Sequence, residues 1–178
     1  MAGAGSRGGR LFFALWPDAA TATDIDARAA SLAIRGRRIA RRRLHMTLAY
    51  HGLCDAAQAR ALVRRAEAIR VPAFDLMLDR CGGFERAGVA WLGPASPPSA
   101  LHELASLLAP EGLDSAAFVP HVTIARRAEP PSRTSIAPLP WPVTGFHLVE
   151  SAAGARSGAY RSRGYWPLTP RPIKRAGV

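Results

Sequence analysis

The sequence predicts an α+β fold built mainly on antiparallel sheet, and two observations carry that class. The predicted elements run strand, helix, strand, strand, helix, strands, helix, strand, strands, without the regular strand–helix alternation of a parallel sheet. The same short phrase also stands twice, as Leu44-His45-Met46-Thr47-Leu48-Ala49 and Pro120-His121-Val122-Thr123-Ile124-Ala125. Apolar residues fall at every second place, the period of a strand. His45 and Thr47 therefore share one face, with Met46 and Leu48 on the other; His121 and Thr123 stand likewise against Val122 and Ile124. A length of 178 residues with 48% hydrophobic content suits one globular domain or two small lobes on a shared core.

Each element has its own signal. Residues 1–9 are dominated by Gly, Ala, Ser and Arg and predict a disordered start. Arg10 to Trp16 reads as a buried strand, stopped by Pro17. Asp18 can cap an Ala-rich helix reaching about Ile34. Gly36 to Ala40 predicts a short strand, Arg41-Arg42-Arg43 a charged link, and 44–50 the first motif strand. Asp55 can cap a second helix over 56–70. Phe74 to Arg80 alternates as a strand, with Val89 to Leu92 as its partner across a Gly-containing turn. Pro98 to Leu108 predicts a third helix and 121–126 the second motif strand. The Pro-rich stretch 128–140 reads as an exposed loop. Val143–Val149 and Tyr160–Leu168 predict two closing strands, and 171–178 a basic, frayed tail.

With five His and seven Thr in the chain, one His-x-Thr is expected roughly 0.2 times by chance, so two copies in similar strands point to a shared task. Each copy sets an imidazole beside a hydroxyl. Two such pairs facing one another would offer two proton-transfer groups and two donors around one small anion. The motifs lie 76 residues apart (121 − 45), too far for one hairpin. A duplicated lobe with a pseudo-two-fold axis would bring them face to face. Two histidines also suggest zinc, but neither motif has a third ligand of the usual kind nearby, so no metal is expected.

Composition narrows the partners. Lys+Arg 24 against Asp+Glu 13 gives a net charge of +11, nearly all of it arginine, which favours a polyanion such as nucleic acid. The densest charge is Arg35, Arg37, Arg38, Arg41, Arg42 and Arg43, just ahead of the first motif. Two cysteines, Cys54 and Cys81, make neither a disulfide framework nor a zinc knuckle and fit a cytoplasmic protein. The apolar run Leu11–Trp16 is too short for a membrane span.

At these paired motifs the chain resembles the 2H phosphoesterase superfamily, and more closely the RNA 2′,3′-cyclic phosphodiesterase (2′-5′ RNA ligase) family. The likeness runs from Arg10 to about Leu168. It takes in Arg10-Leu11-Phe12-Phe13-Ala14, Gly52, Gly83-Phe84, Val89-Ala90-Trp91-Leu92-Gly93, Phe118-Val119-Pro120, Arg126, Tyr160 and Trp166-Pro167-Leu168. The resemblance implies one bilobal domain over 10–170, with two antiparallel sheets lining a central cleft, helices outside and pseudo-two-fold symmetry. It implies hydrolysis of RNA 2′,3′-cyclic phosphate ends to 2′-phosphates without a cofactor, His45 as acid and His121 as base, and Thr47, Thr123 and Arg126 on the phosphate. It also offers Phe12 and Phe84 as base contacts. A strict strand count puts Arg126, an odd offset from His121, on the opposite face, so it must reach the phosphate from the strand end or over a bend. Arg41, Arg42 and Arg43 can hold an RNA backbone, or form a solvated loop. His102 and His147 read as structural or exposed. Trp16 replaces an acidic residue of many relatives, and His51 an aliphatic one.

The expected substrate is RNA with a 2′,3′-cyclic end, including tRNA fragments, bound by a monomer with no membrane partner. Three other readings stay open: joining of such ends through a 2′-5′ bond, cleavage of small cyclic nucleotides, and non-catalytic RNA binding.

Overall fold

The computed structural model describes residues 9–112, 118–151 and 160–171. The stretches expected to be a disordered start and a frayed tail therefore lie, at 1–8 and 172–178, outside the described residues. In chain order the elements are β1 (Gly9–Leu15), α1 (Ala19–Ser31), β2 (Arg37–Arg38), β3 (Met46–Cys54), α2 (Ala56–Glu67), β4 (Phe74–Phe84), β5 (Val89–Gly93), α3 (Ser99–Leu108), β6 (Val122–Arg126), β7 (Thr134–Val143), β8 (Gly145–Ser151) and β9 (Tyr160–Pro167). Single turns of tighter helix sit at Arg41–Arg43 and Glu85–Ala87.

The helices start where the sequence provides caps. Asp18 accepts from the Thr21 amide ahead of α1, and Asp55 with Gln58 forms a reciprocal capping box at α2. The carbonyls ending α3 are met from outside: His51 Nε2 donates to the Leu108 oxygen at 3.0 Å and Arg65 to that of Ala109 at 2.6 Å.

The strands run β7-β4-β5-β6-β3-β1-β8-β9, antiparallel throughout, with β2 off the path against β6. β7-β4-β5-β6 and β3-β1-β8-β9 are two four-stranded halves. A single residue pair, Met46 opposite Val122, joins them. Each of those residues follows its motif histidine, so the antiparallel pairing sets equivalent positions together, as a local two-fold axis requires. The wider order obeys the same symmetry, since β1-α1-β3 and β5-α3-β6 are both strand, helix, motif strand. The chain end adds a second tie. Ala73 donates to the Thr169 oxygen and Thr169 to that of Val71, fastening the segment after β9 to the start of β4.

The three helices of the described residues lie on one side. Ile25 and Ala29 of α1, Leu62 and Ala66 of α2, and Leu101, Leu104 and Leu108 of α3 share one core with Leu11, Phe13, Leu15, Met46, Leu48, Val122 and Ile124. Phe12, Ala14 and Val149 form a separate small cluster on the opposite face, with Trp16 and Tyr160 packed against it. That opposite face carries the histidines. Among the described residues no helix is long and apolar enough to cross a membrane.

The expected loop over 128–140 is corrected: Thr134–Val143 is a strand along β4. Of the prolines that suggested a loop, Pro138 and Pro140 lie in this strand; they and Pro142 are exposed, while Leu139, Trp141 and Val143, alternating with them, are buried. β7 is the last strand of the sheet, where residues without N–H leave no ladder bond unmade and block further pairing.

Candidate active site

Both motif strands present the imidazole in the same way. His45 Nδ1 lies 2.7 Å from the Arg43 carbonyl and His121 Nδ1 lies 2.7 Å from the Val119 carbonyl, two residues back in each case. A carbonyl only accepts, so each Nδ1 carries a proton and each Nε2 is left as the working nitrogen. Antiparallel counting outward from Met46–Val122 sets His45 against Thr123 and Thr47 against His121. The four residues form a crossed tetrad on the helix-free face.

A bulge in each motif strand extends the symmetry. Phe13 pairs with Ala49 but Ala14 with Thr47, which leaves Leu48 as an extra residue in β3. Ala90 pairs with Ala125 but Trp91 with Thr123, which leaves Ile124 extra in β6. Each extra residue stands three places after its histidine. It turns two successive side chains inward, so Leu48 and Ala49, like Ile124 and Ala125, are all buried. Alternation then resumes in the opposite phase. Strict counting from His121 put Arg126 on the far face; the bulge returns it to the histidine side, and Tyr50 is its counterpart on β3. Both imidazoles feel the Arg126 charge, which helps hold each below the usual histidine range.

Aromatic walls flank the two histidines. Phe12 and Tyr160 have ring centres 5.2 and 5.1 Å from His45. Phe84 and Trp91 lie 4.9 and 6.5 Å from His121. Burial is the main force that pushes His45 down to about 4, with Arg126, His121 and Arg43 adding like charge. Burial also dominates at His121, with Arg126 second among the lowering influences. At pH 7 the free protein therefore holds both rings neutral.

Other expected residues fall into distinct places. Phe12 is 5% exposed. It offers its face to His45 and has little surface left for a base. Phe84 is half-buried against His121 and Trp91. Arg43 stacks 4.8 Å over Tyr160, and its Nε is buried without a partner. Arg41 turns away to the Thr23 hydroxyl, while Arg42 and Arg43 face a hollow shared with Arg126. His147 is half-buried between Trp16 and Tyr165, with ring centres at 5.7 and 4.9 Å. His102 is exposed beside Phe118. Cys54 and Cys81 are free and buried. Among the described residues no group of three or more His, Cys, Asp or Glu could hold a metal ion.

Sequence reading gave no site role to Trp91 or Tyr160. Trp91 owes its place to glycines on either side. A Cβ at Gly82 would meet its ring at 2.6 Å, and one at Gly93 would meet the Pro120 carbonyl at 2.7 Å. The signal was a glycine in each of two paired strands, Gly82 opposite Trp91 in β4 and Gly93 at the end of β5, and it cannot be read without the register.

Comparison with known proteins identifies the family and the fold. Residues 16–155 match the model of the 2′-5′ RNA ligase superfamily. The RNA 2′,3′-cyclic phosphodiesterase of Escherichia coli (strain K12) is 35% identical over 145 residues, 75% of this chain and 81% of that protein. The crystal structure of E. coli LigT complexed with NADP+ superposes with a TM-score of 0.80 at 34% identity, covering 92% of this chain and 99% of that one. The LigT complex with 3′-AMP gives 0.78 at 32%, with 91% and 99% covered. The chain belongs to the 2′-5′ RNA ligase superfamily.

Proposed function

We propose that this protein opens the 2′,3′-cyclic phosphate ends of RNA to 2′-phosphates, with His45 and His121 as acid and base. The observation that carries the reading is the crossed tetrad: two imidazoles with free Nε2 atoms, related by a local two-fold axis, each with a threonine hydroxyl across from it. In-line displacement at phosphorus needs a base on one side, an acid on the other and donors between them.

His121 Nε2 takes a proton from water as the water oxygen bonds to phosphorus. The bond from phosphorus to O3′ breaks, and His45 Nε2–H delivers its proton to O3′. The hydroxyls of Thr47 and Thr123 donate to the non-bridging oxygens, and Arg126 offsets their charge. The bound phosphate anion attracts a proton onto His45 directly and counters the Arg126 charge, against the burial that lowers it. After the step His45 is neutral and His121 protonated; proton exchange with solvent resets the pair.

With a 5′-hydroxyl in place of the attacking water, its oxygen would bond to phosphorus as the bond to O3′ breaks, His121 taking the hydroxyl proton and His45 protonating O3′, which joins the two ends through a 2′-5′ bond. The name of the superfamily favours keeping that second reading. The match to a phosphodiesterase that acts on RNA 2′,3′-cyclic phosphate supports hydrolysis as the first. RNA ends, tRNA fragments included, are the partners of this reading, met in the cytoplasm by a monomer.

Product analysis tests it. An oligoribonucleotide with a 2′,3′-cyclic end is expected to yield one product bearing a 2′-phosphate. A 3′-phosphate product would invert the acid–base geometry, and absence of turnover would end the hydrolase reading.

A further inference from the structure

A cavity of about 590 Å³ opens where β2, the turn at 41–43 and the end of β6 come together. Six arginines line it: Arg37, Arg38, Arg42, Arg43, Arg126 and Arg127, with no acidic side chain among its walls. Arg38 is paired with Asp26. Among the described residues no carboxylate lies within ion-pair distance of the other five.

Three features of the cavity walls carry a cost in the fold. Arg37 pairs directly with Arg126 across β2 and β6, and like charges at opposed strand positions repel. Arg127 has φ +49°, a left-handed backbone that an arginine adopts at a cost. The Arg43 Nε is buried without an acceptor. A bound polyanion would relieve the first and give the third a partner.

We propose that this cavity is a second phosphate subsite, which holds backbone phosphates on the 5′ side of the cyclic end. The proposal rests on the hydrolase reading above. Arg43 and Arg126 belong both to the cavity and to the surroundings of His45, so the cavity continues the catalytic centre. A hydrolase holds one strand, and every phosphate of that strand other than the reacting one lies 5′ of it. The cavity is about 590 Å³ against about 30 Å³ for one water, so it admits a group of several heavy atoms with room beside it. The protein thus selects RNA over a cyclic mononucleotide by the charge it places one step beyond the reaction.

The test compares a 2′,3′-cyclic mononucleotide with cyclic-ended oligoribonucleotides of increasing length, at two salt concentrations. The wild type should gain at least about tenfold in kcat/KM with length. The triple variant Arg37→Gln, Arg42→Gln, Arg127→Gly should lose most of that gain. It should also flatten the salt dependence, by about 0.7 in log–log slope for each phosphate contact removed. Its turnover of the mononucleotide, which also reports folding, should stay within about twofold. Arg41→Gln, from the same run but outside the cavity, should retain the gain. A wild type indifferent to length, an equal loss in Arg41→Gln, or an equal loss on both substrates in the triple variant would overturn the subsite. If the wild type hydrolyses neither substrate, the hydrolase reading fails by itself. Anisotropy with a labelled oligoribonucleotide ending in a 2′-phosphate then decides the subsite: weaker binding by the triple variant supports it, and equal binding overturns it.

Discussion

His45 and His121 lie among aromatic rings and arginines, and that setting decides their protonation. Both are held below the ordinary histidine range, His45 at about 4, because burial and the Arg126 charge disfavour the imidazolium. The unfolded chain then binds more protons than the native one below about pH 6.5. The stability contributed by neutral His45 is complete above that pH and is lost as pH falls towards 4. The same shifts set the activity profile. One ring must be charged and the other neutral, so both limbs of kcat/KM, which report the free enzyme, should lie below pH 6.5. A limb above neutrality assigned to either histidine would contradict the electrostatics. Arg126→Gln removes a charge that both rings feel and should move both limbs upward in pH, besides lowering kcat. An unchanged profile would mean that Arg126 does not face the imidazoles.

At the scale of elements, the motif strands combine what a sequence shows with what it hides. The period of two in His45-Met46-Thr47 and His121-Val122-Thr123 reveals which side chains share a face, because alternation is a local property of a strand. Arg126 was not placed correctly by that rule. The bulge at Ile124 depends on pairing with β5, which is remote in sequence, and it reverses the alternation beyond it. β7 was hidden for a related reason. Pro138 and Pro140 read as a loop until the strand is known to be an edge, where they and Pro142 are compatible with pairing on one side only. The walls of the site depend equally on remote partners. A Cβ at Gly93 would meet the Pro120 carbonyl, the residue before His121. Gly93→Ala should therefore cost about 1–3 kcal/mol in a urea titration, the usual penalty of overpacking, and lower kcat with it. Wild-type stability and turnover in that variant would show that the approach is not constraining.

At the scale of the molecule, two similar halves, whose motif strands pair through one residue pair and whose side chains share one core, bring their histidines to one face. Each half brings one imidazole and one hydroxyl, and the local axis between Met46 and Val122 sets the two copies of a repeated phrase against each other. The site offers imidazole and hydroxyl, and among the described residues no group of three or more His, Cys, Asp or Glu could hold a metal, so hydrolysis should proceed at full rate in EDTA. Loss of turnover on chelation, restored by zinc or manganese, would contradict that chemistry. The central claim, that the two histidines act as one acid–base unit, is tested most directly by turnover of a cyclic-ended oligoribonucleotide with wild type, His45→Ala, His121→Ala and the double variant, each confirmed folded. Each single variant should lose at least about a hundredfold in kcat, and the double variant little more than either single one, because the two groups serve one step. Activity within tenfold of wild type in either single variant would contradict the account.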